Sequence, residues 1–313
     1  MLINGGCVVQ LDRFHPKTWW QSVRDSGATA LHYLGVMPAM LMGATPSPDD
    51  RKHAVRFGLG SAVDIRQHAT FEERFGFPLL EGWAMTETGS GGLIIANAEP
   101  RKIGTATIGR PSPEIEVKIV DDDGAEVPPN VPGELLIRRA GPDPRFGFYT
   151  EYLKDPEATS AAWEGGFFHT GDLLRRDEDG FLYFVDRKKN VIRRSGENIS
   201  AVEVETVIRR HPKVREAACA PTPDPVRGDE VLACILLADP LPDTELQELA
   251  REIVSLCLDQ LAYYKAPGYV AFVETLPLTA TQKVQRAELK VLAQSLPGAE
   301  RCYDTRSMKK RQL

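Results

Sequence analysis

The sequence predicts an α/β large domain with an antiparallel, β-barrel-like part, followed by a small α+β C-terminal domain. Three observations predict it. Strand-like and helix-like stretches alternate over residues 1 to about 95, the order that builds an α/β layer. From about 96 to 186 short period-two stretches bounded by turns take over. Beyond Arg187 helices return in a shorter α+β segment. The domain boundaries expected are therefore 1–186 and 187–313, and 313 residues suit two domains at ~150 each.

Leu2–Val9 reads as a strand, Pro16–Ser26 as a helix and Ala28–Gly35 as a strand. Phe71 and Phe75 share one helix face by their i, i+4 spacing. Pro78–Leu80 reads as a short buried strand. Glu114–Val120 alternates with period two, Asp121–Gly124 is a turn, and Gly133–Arg138 is the next strand, so this part is an antiparallel barrel or sheet. Asp179-Gly180 is a tight-turn pair ahead of an aromatic and β-branched strand. Ser200 suits the N-cap of a helix over Ala201–Arg210, with Glu203 at the capping-box position. Asp243–Leu261 reads as a second amphipathic helix. The basic tail, Arg301–Leu313, reads as solvated or disordered, the alternative being contact with a phosphate or anionic partner.

The net charge of −6 disfavours nucleic acid as a partner for the surface as a whole. No apolar run is long enough to span a bilayer, which argues against stable membrane insertion. The charged, amphipathic stretch Arg13–Trp20 does not read as a signal peptide. Cys7, Cys219, Cys234, Cys257 and Cys302 form no Cys-x-x-Cys pair, so they read as reduced thiols, structural rather than catalytic, of a cytoplasmic protein. No His or Cys spacing suggests zinc.

The most informative stretch begins at Phe168-His-Thr-Gly-Asp172 and resumes after Asp179-Gly180. There a strand runs into a burst of charge, Asp186-Arg-Lys-Lys-Asn190, and then a glycine loop, Ser195-Gly-Glu-Asn198. Gly82-Trp-Ala-Met-Thr-Glu87 precedes it. Gly228-Asp-Glu-Val231, Tyr263-Tyr-Lys-Ala-Pro267 and the block from Pro277 to Arg286 follow. Any one block is a weak signal; their order carries the argument. Together they resemble the acyl-adenylate-forming superfamily: acyl-CoA ligases, luciferase-like enzymes and carrier-protein-loading adenylation domains. The resemblance runs from near Leu2 to about Leu292.

That resemblance implies a reaction in two halves. A carboxylate attacks the α-phosphate of ATP, giving an acyl-adenylate and pyrophosphate. A thiol, usually coenzyme A, then displaces AMP. Trp83 falls where the family stacks adenine on an aromatic ring, the alternative being a core tryptophan. Thr86 resembles the hydroxyl that meets the α-phosphate or acyl group, and Glu87 the ligand of Mg²⁺, although a Thr-Glu pair alone reads as a helix cap. Ala84 stands where the family usually has glycine.

Gly58 and Gly60 fall where the family has a small-residue loop against adenine; an ordinary turn is the alternative. Asp172 resembles the ribose-binding carboxylate, the alternative being a turn cap, and Arg187 the arginine that reaches the nucleotide. His169 reads as a structural neighbour of the nucleotide. Lys189 sits at the family's hinge position, although Lys188-Lys189-Asn190 is equally a solvated charge run. Rotation of a small mobile domain about that hinge would bring Gly196 and Glu197 to line the thiol tunnel. Lys283 resembles the lysine that bridges carboxylate and α-phosphate, with Gln282 where glycine is usual; the alternative is a plain surface lysine.

The family's Ser/Thr/Gly phosphate loop, upstream of all these blocks, has no counterpart here; Thr88-Gly-Ser-Gly-Gly92 follows the Thr-Glu block instead. Met1 reads as a start inside a longer family pattern, with an N-terminal portion absent, lost or on a separate chain. The function expected is an AMP-forming carboxylate–CoA ligase, with ATP/AMP, Mg²⁺ and coenzyme A as its cofactors and a small carboxylic acid as substrate. Asp12-Arg-Phe14, Trp19-Trp20 and Tyr33-Leu-Gly35 are similar to the carnitine/crotonobetaine-type subgroup. The alternatives are a truncated fragment that binds AMP or coenzyme A without turnover, and an adenylation domain that loads a separate carrier protein. The partners considered are a homodimer and complementation by the missing N-terminal portion.

Overall fold

The computed structural model describes residues 5–279 and 283–309. The chain divides into two compact units, Met1–Phe184 and Val185–Leu313.

The first unit opens with α1 (Trp19–Ser26), β1 (Ala30–Leu34), α2 (Val36–Met42), β2 (Phe57–Ser61), α3 (His68–Phe75), β3 (Leu79–Trp83) and β4 (Ile94–Ile95). The sheet order is β1-β2-β3-β4, the first three strands parallel and β4 antiparallel to β3. Gly27 at φ 62 closes α1 with its N–H on the carbonyls of Arg24 and Val23, the use of glycine that a helix end favours. Helix and sheet meet in a core of Val23, Tyr33, Phe71, Phe75, Phe77 and Leu79. Phe71 and Phe75 pack at 4.5 Å, as their spacing predicts, and Trp20 stacks on Phe75 at 4.7 Å. Of the strand expected over Leu2–Val9, none is found among the described residues. Residues 5–10 carry no strand, and Val8 and Val9 are 60% and 51% exposed. Alternating hydrophobicity makes a strand only where a neighbouring backbone can pair with it.

The second part of this unit holds β5 (Thr107–Gly109), β6 (Ile115–Val120), β7 (Gly133–Arg139), α4 (Pro156–Ala162), β8 (Phe168–Arg176) and β9 (Leu182–Arg187). These strands form one sheet in the order β5-β9-β8-β7-β6. It stays open, with β5 and β6 as its edges, rather than closing as a barrel. Closure demands tilt and shear matched around the ring. The Asp121 turn forms as read: its Oδ1 accepts the amides of Asp123 and Ala125 at 3.0 and 2.9 Å, and Gly124 takes φ 80.

The second unit begins inside β9 and adds β10 (Ile192–Arg194), β11 (Glu197–Ile199), α5 (Ala201–Ile208), β12 (Val214–Asp224), β13 (Gly228–Leu237), α6 (Asp243–Gln260), β14 (Tyr269–Phe272), α7 (Arg286–Ser295) and β15 (Cys302–Asp304). Its sheet runs β11-β10-β13-β14-β15, with β12 paired to β13. Both faces of β13 are covered, which is why it reads as continuous hydrophobic sequence. Val231, Ala233 and Ile235 pack with α5 and α6, while Leu232, Cys234 and Leu236 pack with Leu289 and Ala293 of α7. Cys219, Cys234 and Cys257 are buried in these cores, and burial pushes the thiols of Cys234 and Cys257 up to about 12. They stay protonated and unreactive.

Ser200 caps α5, its Oγ accepting the Glu203 amide at 3.2 Å. The Glu203 carboxylate takes the Lys265 ammonium at 2.8 and 2.7 Å, so Glu203 serves the Tyr-Lys-Ala-Pro block. The tail expected to be solvated or disordered is largely structured. Cys302–Asp304 add a strand to the sheet and Lys309 is buried, while residues 310–313 lie outside the described residues. Among the described residues of the tail, Arg301 pairs with Asp243, Arg306 with Asp304 and Asp224, and Lys309 with Glu230.

Candidate functional site

In the first unit the site is built on the end of β3 and on a bulge in β8. The register opposes Leu173 to Glu134 and His169 to Leu136, so Thr170, Gly171 and Asp172 share the space of Leu135 alone. Such a bulge bends a strand and re-aims its side chains. The chemistry of Thr-Gly-Asp explains it. Thr170 Oγ1 donates to the Leu135 carbonyl at 2.7 Å and accepts the Asp172 amide at 3.1 Å. Gly171 takes φ 65, a left-handed conformation that costs glycine little, and its N–H reaches Glu134 at 3.2 Å. The result turns Asp172 inward, where it is only 3% exposed.

There the Trp83 indole N–H donates to Asp172 Oδ2 at 2.9 Å. Trp83 is 6% exposed, within a core of Ile94, Ile108, Leu135, Ile137 and Phe168. The indole is thus a packed residue that donates to the aspartate. His169 is half-buried, with Nδ1 3.6 Å from Glu134.

After Trp83 the chain leaves the sheet through exposed Ala84 and turns at Thr86–Glu87. Thr88, fully buried, holds that turn: its hydroxyl donates to the Met85 carbonyl at 3.2 Å and accepts the Met85 amide at 3.1 Å. Thr86 is left exposed and Glu87 half-exposed. A second loop braces them. The Tyr149 amide donates to the Glu87 carbonyl at 2.8 Å, and the Tyr152 hydroxyl donates to Glu87 Oε1 at 3.3 Å. Burial, then the Glu87 charge, pushes the Tyr152 phenol up to about 12. The glycine-rich run after Glu87 serves this contact. The Ser90 and Gly91 amides donate to Gly147, and a Cβ at Gly91 would lie 2.4 Å from the Phe146 carbonyl.

Gly58 and Gly60 do not line a loop, which corrects that expectation. They lie within β2, paired to β1 and β3. A Cβ on Gly60 would stand 2.2 Å from the Tyr33 carbonyl oxygen and 2.7 Å from its ring. The space that glycine leaves is filled by Tyr33. Tyr33 donates to Glu81 at 2.6 Å, and Glu81 also accepts the Ala62 and Val63 amides at 2.8 and 3.1 Å.

The second unit carries the rest. Arg187 and Lys189 are exposed, and Lys188–Asn190 form one short 3₁₀ turn. Buried Asp186 anchors the turn, accepting the Arg187 amide at 2.7 Å and the Ser200 hydroxyl at 3.0 Å. Gly196 lies in the two-residue turn of the β10–β11 hairpin, and Glu197 opens β11 opposite Arg194. Ser195 and Gly196 sit at φ 52 and 83, the left-handed pair that a tight hairpin requires. Lys283 is exposed and tied back to Thr279: its amide donates to Thr279 Oγ1 at 3.1 Å, and its carbonyl accepts the Thr279 amide at 2.7 Å. Gln282 lies outside the described residues. Arg286 forks onto Glu205 at 2.5 and 3.0 Å, tying α7 to α5.

The geometry joins Trp83 to Asp172 and seats Thr86 beside Glu87. It places Arg187, Lys189, Gly196, Glu197 and Lys283 on the other unit. Sequence reasoning did not find Thr88, Tyr152 or Asp186. Their roles are contacts across 3 to 65 residues; Thr88 adjoins a recognisable block and Asp186 opens one, but neither contact is written in the block itself.

Residues 1–142 match the AMP-binding enzyme family, and residues 203–283 match the AMP-binding enzyme C-terminal domain. The chain belongs to this family of AMP-binding enzymes. It is 33% identical over 290 residues to a crotonobetaine/carnitine–CoA ligase of Salmonella arizonae, covering 91% of this chain and 54% of that protein. It is 37% identical over 239 residues to the mitochondrial acyl-coenzyme A synthetase ACSM5 of Homo sapiens, covering 76% and 40%. Among solved structures, the o-succinylbenzoate CoA synthetase MenE of Bacillus subtilis, in complex with its acyl-adenylate OSB-AMP, superposes with a TM-score of 0.77 at 29% identity over 92% of this chain and 56% of that one. The chain thus spans about half the length of the relatives it matches. Among the described residues no helix is long and apolar enough to cross a membrane.

Proposed function

We propose that this chain carries out the work of an AMP-forming carboxylate–CoA ligase on a small carboxylic acid. The Trp83–Asp172 hydrogen bond carries the reading, because it fixes a carboxylate beside the Thr-Glu turn on rigid sheet. The first step joins a carboxylate oxygen to the α-phosphorus of ATP as pyrophosphate leaves. The second joins a thiol sulfur to the acyl carbon as AMP leaves. Asp172 accepts from the two ribose hydroxyls. Arg187 reaches the nucleotide, and the Thr86 hydroxyl, exposed on its turn, meets the α-phosphate. The exposed Lys283 ammonium offsets the charge of two anions brought together.

Magnesium takes one or two carboxylates together with water and substrate phosphates, and Glu87 offers such an oxygen, held by Tyr152. The ion's chemistry is charge neutralisation on the phosphates. The Lys188–Asn190 turn, braced by Asp186, suits a pivot at Lys189, and the Gly196–Glu197 hairpin suits one wall of a thiol path. The units would then act as a large domain and a small moving one. The similarity to named CoA synthetases and ligases supports coenzyme A as the thiol. The test is AMP release from Mg-ATP and coenzyme A across a panel of carboxylic acids, with Lys283→Ala as control. Acid-dependent AMP that disappears in the control is expected. No AMP with any acid, from folded protein, would retire the reading in favour of a non-turnover AMP or coenzyme A binder.

A further inference from the structure

The family match ends at residue 283, yet the chain continues through α7 into a segment that folds back onto the sheet. We propose that residues 302–309 form a strap that holds the Arg194–Glu197 hairpin in place for the thiol step, with Lys309 as its positioning residue. The proposal rests on the reading of that hairpin as part of the thiol path.

The strap is attached four times. β15 pairs with β14, matching Tyr269 to Asp304, Val270 to Tyr303 and Ala271 to Cys302. Thr305, buried, then donates its amide to the Gly268 carbonyl and its hydroxyl to the Pro267 carbonyl, both at 2.9 Å. Arg306 bridges Asp304 and Asp224, its guanidinium 4.8 Å from the centre of the Tyr269 ring.

The last attachment is the informative one. The Lys309 side chain is 1% exposed, and its ammonium donates to Glu230 Oε1. Glu230 is itself wholly buried, and its Oε2 accepts Arg194 Nε at 2.9 Å. Room for this carboxylate exists because residue 268 is glycine: a Cβ there would lie 2.4 Å from Glu230 Cγ. Arg194 ends β10 and directly precedes the left-handed Ser195–Gly196 pair, whose Ser195 amide donates to the Arg227 carbonyl at 2.8 Å. A continuous path of buried charge therefore runs from the strap to the hairpin.

Buried ionic groups are a poor source of net stability, because desolvation offsets the attraction. The Lys309 ammonium shows this cost: burial lowers its pKa to about 8, with Glu230 opposing. What a buried set of two cations on one carboxylate supplies is a single permitted arrangement. Here it fixes Arg194, which closes a hairpin whose turn, Ser195–Gly196, is exposed, with exposed Glu197 paired opposite it.

The test is amide hydrogen exchange on the whole chain, comparing wild type with Lys309→Met. Exchange across residues 192–199 is expected to rise about tenfold, while peptides in α5 and α6 stay within about twofold of wild type. Thr305→Val loosens the strap without leaving a buried charge unpaired and should give the same local pattern, and Ser307→Ala should change nothing. Uniform acceleration throughout the unit, or none at 192–199, overturns the strap. In a parallel arm, thioester formation from a supplied acyl-adenylate should fall in Lys309→Met while adenylate formation is kept. Wild type that makes no thioester retires the ligase reading and leaves the exchange result to judge the strap.

Discussion

The Ser200 hydroxyl donates to Asp186 Oδ2 at 3.0 Å while its oxygen accepts the Glu203 amide at 3.2 Å. One side chain thus caps α5 and fastens the 3₁₀ turn that carries Lys189. Ser200→Ala removes both contacts. A cap alone is worth ~1 kcal/mol, and the buried Asp186 loses a donor as well, so the second unit should lose about 2 kcal/mol. Urea unfolding followed by a probe in that unit measures it, and a change near zero would show that Asp186 is held by its other donors.

If the same turn is the pivot, Lys189→Pro should slow alternation between the two half-reactions, because a fixed φ resists rotation of the backbone. Rapid-quench measurement of each half-reaction checks this. Unchanged rates in both would remove Lys189 from the hinge role.

Trp83→Phe deletes the indole donor to Asp172 while keeping an aromatic ring in the core. Stability should fall by about 1–3 kcal/mol, and AMP should bind more weakly because the carboxylate is no longer aimed. Calorimetric titration of AMP separates the two effects. Lost stability with unaltered AMP affinity would make Trp83 a core residue alone.

Glu72 supplies a pH dependence of definite sign. Burial pushes its carboxyl up, but Arg101, then His68 and the Leu79 amide, bind the charged form and hold it at about 2. Its contribution to stability is therefore present above the ordinary value of 4.5 and is lost as pH falls from there towards about 2. Arg101→Met should move the acid-unfolding midpoint to higher pH. Circular dichroism across that range checks it, and an unmoved midpoint would mean that other groups govern acid unfolding.

Gly60→Ala tests the correction made to β2. With a Cβ placed 2.2 Å from the Tyr33 carbonyl, the three parallel strands must shift, at a cost of ~3 kcal/mol or more. A stable, unshifted variant would restore the reading of an open loop.

What the sequence determined by itself is what depends on neighbours along the chain. The Phe71–Phe75 face, the Asp121 and Asp179 turns, the Ser200 cap and the period-two strands all rest on residues within a few positions of each other. The order of the motif blocks is likewise linear, and it carried the family. Tertiary structure decided everything that rests on a partner distant in sequence. Gly60 reads in one dimension as a loop or an ordinary turn, and its pairing to Tyr33 places it inside β2. Trp83 meets its hydrogen-bond partner only because a bulge 89 residues later brings Asp172 to its N–H. Lys309 looked solvated because charge favours water, and only Glu230, 79 residues earlier, makes burying it tolerable. The physical reason is common to all three. Local periodicity and turn chemistry are short-range and legible in one dimension, whereas burial and charge compensation are properties of the folded neighbourhood.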